Sequence, residues 1–285
     1  MQGTGIQEQW LTVNGIRIRC FTAGDSGSPV VLLHGAGIDS AMLSWELSIE
    51  PLAEHHRVFA PDLPGYGQSD KPDVKYTLDF YISFLAQLLD QLELPRVALV
   101  GLSMGGGIAI GFTLRYPERV TKLVPVDPYG IMPKLAWHKL SYLYVITPLN
   151  ELSYWFFKRS RSMVRASLLA GLISSKERLT EDLVDKVFQA AQDPSAGKAF
   201  ASFQRDEVRW NSLRTNYIDS LHEITVPTLF VHGEKDPSVP LVYAQRAHQL
   251  VKHSQLHVMS ECLHWPMREK PEEFNQVVSA FLRDP

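Results

Sequence analysis

A chain of 285 residues can build one large globular domain, with or without an insertion, and is short for two independent domains. Its 45% hydrophobic and 21% charged residues exclude a disordered or fibrous chain. A formal net charge of -3 without a long Lys or Arg run offers no footprint for nucleic acid or an anionic membrane surface. The expected partner is a small-molecule substrate, with no nucleic acid and no membrane; oligomeric state stays open, a homo-oligomer included.

The first ten residues hold neither a basic n-region nor an apolar stretch, so no secretory signal is expected. Cys20 and Cys262 form no CxxC pair, which argues against a disulfide framework or a thiolate zinc site and fits a reducing cytoplasm. In chain order, strands are expected at residues 10–13, 16–21, 30–33 and 57–60. Next comes a helix on which Leu78, Tyr81, Ile82, Leu85, Leu88, Leu89 and Leu92 share one face. Strands follow at 96–100 and 123–126. Strand-like runs then vanish in favour of aromatic and aliphatic helical segments, until strands resume at 228–231 and 256–259. About eight strands alternating with helices predict an α/β fold with a mostly parallel sheet. The core domain is placed at residues 1–127 and 222–285, with a helical cap inserted at 128–221. The apolar stretch 135–157 is broken by His138, Lys139, Pro148, Asn150 and Glu151, so it reads as helices lining something apolar rather than a membrane span. Lys158, Arg159, Arg161 and Arg165 read as a solvated helix face.

The strand at 96–100 runs into Gly101-Leu102-Ser103-Met104-Gly105-Gly106-Gly107 and then a helix-like segment. A serine at so sharp a strand-to-helix turn takes a strained backbone, and glycines two residues to either side leave room for it. Ser103 is thereby exposed as a nucleophile, and the Met104 N–H and the helix dipole point at a developing oxyanion. A dinucleotide-binding turn would need glycine at 103, and no phosphate-binding Lys follows as in a P-loop. The rival Ser26, in Gly24-Asp25-Ser26-Gly27-Ser28, has almost nothing before it to supply a His and an Asp, and reads as a polar turn.

Two later strands end in His232-Gly233-Glu234-Lys235-Asp236-Pro237 and Ser260-Glu261-Cys262-Leu263-His264-Trp265-Pro266. In an open parallel sheet such carboxyl ends line one edge, so Ser103, Asp236 and His264 can meet there in the chain order Ser, Asp, His. His264 would accept the Ser103 proton and Asp236 would hold the imidazole, with Trp265 bordering the substrate pocket. Asp127, after the strand at 123–126, competes with Asp236; the His-Gly turn favours Asp236. The turn Leu33-His34-Gly35-Ala36-Gly37 is expected to give the second oxyanion donor, the Ala36 N–H, with His34 structural. No metal-ligand spacing appears, so no metal is expected.

These motifs resemble the serine-nucleophile branch of the α/β-hydrolase superfamily over nearly the whole chain outside the cap. Asp62-Leu63-Pro64-Gly65-Tyr66-Gly67-Gln68-Ser69 is similar to the family's segment after its fourth strand. The resemblance implies a helical lid, no cofactor, and hydrolysis through an acyl-enzyme or related intermediate. Ser103-Met104-Gly105-Gly106 and His264-Trp265-Pro266 are similar to meta-cleavage-product hydrolases and to haloperoxidase-like esterases. Leu102 stands where the former carry Asn, Ile38 where their turn is Gly-rich, and Leu263 where the family commonly has Gly. A carboxylic-ester hydrolase of small to medium, mainly apolar substrates is therefore expected, with Trp137, Tyr142, Tyr144, Tyr154, Trp155, Phe156 and Phe157 making the cap aromatic. Carbon–carbon hydrolysis of a ring-fission acid is the alternative and would need Arg159, Arg161 or Arg165 to point inward. A weakly catalytic ligand-binding protein on the same scaffold is the third reading.

Overall fold

The computed structural model describes residues 5–284. The reading of the first ten residues thus falls partly outside the described chain. The elements run β1 (Gln7–Val13), β2 (Ile16–Ala23), β3 (Pro29–Leu33), α1 (Ala41–Ala53), β4 (Arg57–Pro61), α2 (Leu78–Gln91), β5 (Val97–Leu102), α3 (Met104–Arg115) and β6 (Val120–Val126). Five helices follow: α4 (His138–Ile146), α5 (Leu149–Phe157), α6 (Arg161–Gly171), α7 (Glu181–Ala191) and α8 (Lys198–Glu207). The chain then completes β7 (Thr228–Gly233), α9 (Leu241–Leu250), β8 (Ser254–Met259), α10 (Pro266–Glu269) and α11 (Pro271–Arg283).

One eight-stranded sheet has the order β1-β2-β4-β3-β5-β6-β7-β8. The first two pairings, β1 with β2 and β2 with β4, are antiparallel and the other five are parallel. This is the mostly parallel α/β sheet that the alternating pattern predicts. Every residue of β5 and β7 is buried, as continuous apolar runs covered on both faces should be, whereas edge strand β1 exposes much of its length. Helices α2, α3 and α9 cover one face and α1 and α11 the other, each layer with its own apolar core. Leu78, Tyr81, Ile82, Leu85, Leu88 and Leu89 of α2 are all buried.

Winding reverses between β3 and β5: from β3 the chain moves outward to β4, then returns past β3 to add β5 through β8 on the other side. Loops leaving the carboxyl ends of β3 and β5 diverge there and open a crevice, where ligands enter sheets of this kind. Ala36 and Ser103 stand on those two loops, beneath the helices inserted between β6 and β7.

Candidate active site

Ser103 joins β5 to α3 with φ 51° and ψ −113°, a region costly for any residue with a side chain. Backbone bonds hold it there: its N–H donates to Val126 O, and its carbonyl accepts from Gly107 N and Tyr129 N, all at 2.9 Å. The flanking glycines answer close approaches. A Cβ on Gly101 would stand 2.3 Å from Gly105 O, and one on Gly105 would stand 2.3 Å from Leu33 O. Met104 opens α3, so its N–H belongs to the first turn, whose amides have no intrahelical acceptor.

His264, buried on the loop after β8, places Nδ1 2.7 Å from Oδ2 of Asp236. The other Asp236 oxygen accepts from Ser238 N at 2.7 Å and Val239 N at 3.1 Å. Burial pushes Asp236 up, but the His264 imidazole and its hydrogen bond outweigh this and hold the carboxyl below its ordinary range. With Nδ1–H donating, Nε2 is the proton-accepting nitrogen of the neutral ring. The loop is accommodated beside β7, where Gly233 is required: a Cβ there would meet Leu263 O at 1.9 Å. Leu263 itself donates its N–H to buried Glu269 at 2.5 Å, which ties the loop down despite the missing glycine at 263.

The competing acid, Asp127, is not bonded to His264. It is buried beside Asp236, its Oδ1 accepting from Gly233 N at 2.9 Å and its Oδ2 without a conventional donor. Burial and the Asp236 carboxylate push Asp127 well above its ordinary range, so it is the neutral member of a carboxyl–carboxylate pair. His232, 3.4 Å from Asp127, is lowered by burial and donates Nε2–H to Val239 O at 2.7 Å. The Asp127, His232 and Asp236 ligand atoms lie within 4.8 Å of one another. Asp236 and His232 are already engaged, and a neutral Asp127 carboxyl is a poor ligand, so the grouping reads as a hydrogen-bonded bracket behind His264.

Ala36 follows β3 in a turn braced by buried Asp39, whose carboxylate accepts from Gly35 N at 2.8 Å, Ser40 N at 2.7 Å and the Ser44 hydroxyl. Both ring nitrogens of His34 are used, Nδ1 on Gly35 O within the turn and Nε2 accepting from Leu63 N of the segment after β4. Ala36, Ser103, Met104, His264 and Trp265 all line one cavity of about 810 Å³. Its walls add Met132, Leu135, Tyr144, Phe157, Leu168 and Phe203.

The aromatic insertion divides. Tyr144, Tyr154, Phe156 and Phe157 line the cavity, as helices lining something apolar should, whereas Trp137 and Trp155 do not and are exposed. Among the described residues no Lys or Arg lines the cavity; Asp39 and Glu207 are its acidic side chains and His264 its imidazole. Arg159 stacks on Trp155, while Arg161 and Arg165 pair with Glu181. His257, on β8, pairs with Glu273 at 3.0 Å.

Sequence reasoning missed Asp39 and Glu207. Ser40 caps α1 by accepting from Leu43 N, a local signal that marks the Asp39-Ser40 helix start. Glu207 gives no such signal, because its partners, the Tyr129 hydroxyl and Thr215, come together only in the fold.

The model of the alpha/beta hydrolase fold matches residues 28–271, and the chain belongs to that family. Among its relatives, the 2-hydroxy-6-oxo-2,4-heptadienoate hydrolase of Pseudomonas putida strain F1 is 32% identical over 260 residues, covering 90% of each protein. The meta-cleavage product hydrolase CumD of Pseudomonas fluorescens IP01 superposes with a TM-score of 0.81 at 28% identity over 96% of both chains. A bacterial membrane phospholipase A superposes with a TM-score of 0.82 at 26% identity, over 99% of this chain and 88% of that one. The chain is a hydrolase of this family.

Proposed function

We propose that the protein is a serine hydrolase cleaving carboxylic esters with a neutral, mainly apolar acyl group. Ser103 Oγ attacks the acyl carbon as His264 Nε2 takes its proton, and the Met104 and Ala36 N–H groups receive the negative charge that develops on the carbonyl oxygen. His264 returns the proton to the departing alcohol. A water activated by the same imidazole then breaks the acyl-enzyme. Asp236 fixes the ring and stabilises the imidazolium at both steps. The α4–α8 insertion acts as a cap that forms the acyl pocket.

The observation that carries the ester reading is the cavity's charge: about 810 Å³ of largely apolar space, two acids, and no Lys or Arg among the described residues. A substrate carboxylate there would be desolvated without a countercharge. The phospholipase neighbour, an ester hydrolase by name, is consistent with this reading. The second reading, carbon–carbon hydrolysis of a ring-fission acid, is favoured by the named activities of the relatives. A side-by-side measurement of kcat/KM for p-nitrophenyl esters of increasing chain length and for a 2-hydroxy-6-oxo-dienoate separates the two. The ester reading expects the esters to be preferred by about ten-fold or more, with turnover lost in Ser103→Ala. Preference for the dienoate would replace it with the second reading.

A further inference from the structure

Helices α4 and α5 turn apolar side chains into solvent. Of the fourteen exposed large hydrophobic residues in the described chain, nine fall between residues 137 and 163: Trp137, Leu140, Leu143, Ile146, Leu149, Leu152, Trp155, Phe156 and Met163. The first four recur every three residues from Trp137, just before α4, to Ile146 at its end, and the next three do so along α5. Trp137 is 82% exposed, Leu140 63% and Leu149 56%. Scattered single hydrophobics are ordinary on a surface; two consecutive helices with outward apolar stripes are a binding surface.

Charge on this segment is opposite to that of the whole chain. Residues 134–161 hold five cations and one anion, against a chain total of -3. The anion, Glu151, is neutralised by Arg205, and Arg161 is taken by Asp185 and Glu181. Lys134, Lys139, Lys158 and Arg159 have no ion-pair partner among the described residues. Two of them lie against exposed indoles: Arg159 is 3.2 Å from the Trp155 ring centroid and Lys139 is 5.3 Å from that of Trp210. Tryptophan flanked by unpaired Lys and Arg around an aliphatic stripe matches the headgroup layer of an anionic bilayer, where indoles settle, cations reach phosphates and aliphatic side chains enter the acyl boundary.

We propose that the α4–α5 face docks the protein on an anionic phospholipid surface, lying in the interface without crossing it. Among the described residues no helix is long and apolar enough to span a bilayer. The face also meets the active-site cavity: Phe156 and Met163 belong both to the exposed stripe and to the cavity lining, as do the exposed polar residues Ser153 and Ser167 beside them. A docked molecule would open its cavity mouth towards the acyl layer and take an apolar substrate without passing it through water. This revises the expectation of no membrane partner, which rested on net charge and on the lack of a Lys/Arg run; neither registers four cations spread around an apolar stripe.

Flotation of the full chain with vesicles tests this without turnover, so it stands or falls separately from the ester reading. Wild type should float with mixed phosphatidylglycerol and phosphatidylcholine vesicles and less with pure phosphatidylcholine. The triple variant Trp137→Glu, Leu140→Glu, Leu149→Glu alters no cavity-lining residue. It should lose about ten-fold or more of the bound fraction while keeping its melting temperature and its rate on a short water-soluble ester. Lys134→Gln with Lys139→Gln should reduce binding to the anionic vesicles alone. Wild type that stays in the aqueous phase, or a triple variant that floats equally well, would overturn the proposal. A wild-type dimer that the triple variant dissociates, without vesicle binding, would overturn it in favour of a second copy of the chain.

Discussion

The floor and the roof of the cavity are built on different terms. On the floor, polar groups are pinned by short bonds at the carboxyl edge of the sheet: Ser103 by its backbone to Val126 of β6, Asp236 by the Ser238 and Val239 amides and His264, the Ala36 turn by Asp39. The roof consists of side chains from α4 to α8, and the outer faces of α4 and α5 carry exposed apolar residues. Chemistry needs fixed geometry, which the sheet edge supplies, whereas substrate choice is set by apolar contacts that tolerate exchange. Changes on the floor should therefore act on turnover by orders of magnitude and changes on the roof on substrate preference by smaller factors.

The largest expected effect is Asp236→Asn. The amide presents the wrong partner to His264 Nδ1, so kcat should fall on the order of 10³- to 10⁴-fold with little change in KM. A drop of only a few-fold would mean that another group holds the imidazole, and Asp127 is the neighbour to examine.

Asp127 sharpens the comparison through stability. Its ordinary pKa is about 4, and in the fold it lies well above that, so between these values the folded protein holds a proton that the unfolded chain has released. The stability contributed by the neutral carboxyl is complete below about pH 4 and is lost as pH rises towards the folded pKa. Asp127→Asn cannot titrate, yet keeps an acceptor for the Gly233 amide and an N–H for Asp236. Its melting temperature should gain on wild type as pH rises from about 5 to 8. Asp127→Ala strands the buried Gly233 amide and should cost about 1–3 kcal/mol. Parallel pH profiles for wild type and Asp127→Asn would mean that Asp127 is ionised in the fold.

The smallest effect belongs to the roof. Phe157→Ala removes a cavity wall without touching Ser103 or His264, and should change kcat/KM for a long-chain ester by about ten-fold while leaving a short-chain ester nearly unaltered. An equal loss on both esters would show that the roof also sets the reacting geometry.

The sheet was legible because its strands are short apolar runs ending at glycine turns, and the order of the Ser103, Asp236 and His264 loops follows from which strands they leave. The burial of Asp127 beside Asp236 was not legible, since it depends on contacts distant in the chain, such as Gly233 N to Asp127 across 106 residues. Nor was Glu207, a carboxylate buried against Tyr129 from 78 residues away. The outward-turned part of the insertion was hidden for a different reason. Three-residue periodicity at 137–146 and 149–155 shows that a helix has an apolar face, and only packing shows whether that face turns inward.

Covalent labelling tests the central claim most directly: that Ser103 is a nucleophile activated by His264. Incubation with a fluorophosphonate followed by peptide mass spectrometry should give a single adduct on Ser103, absent in Ser103→Ala and strongly slowed in His264→Ala. An adduct on a different serine, or a folded wild type that takes up no label, would contradict the account.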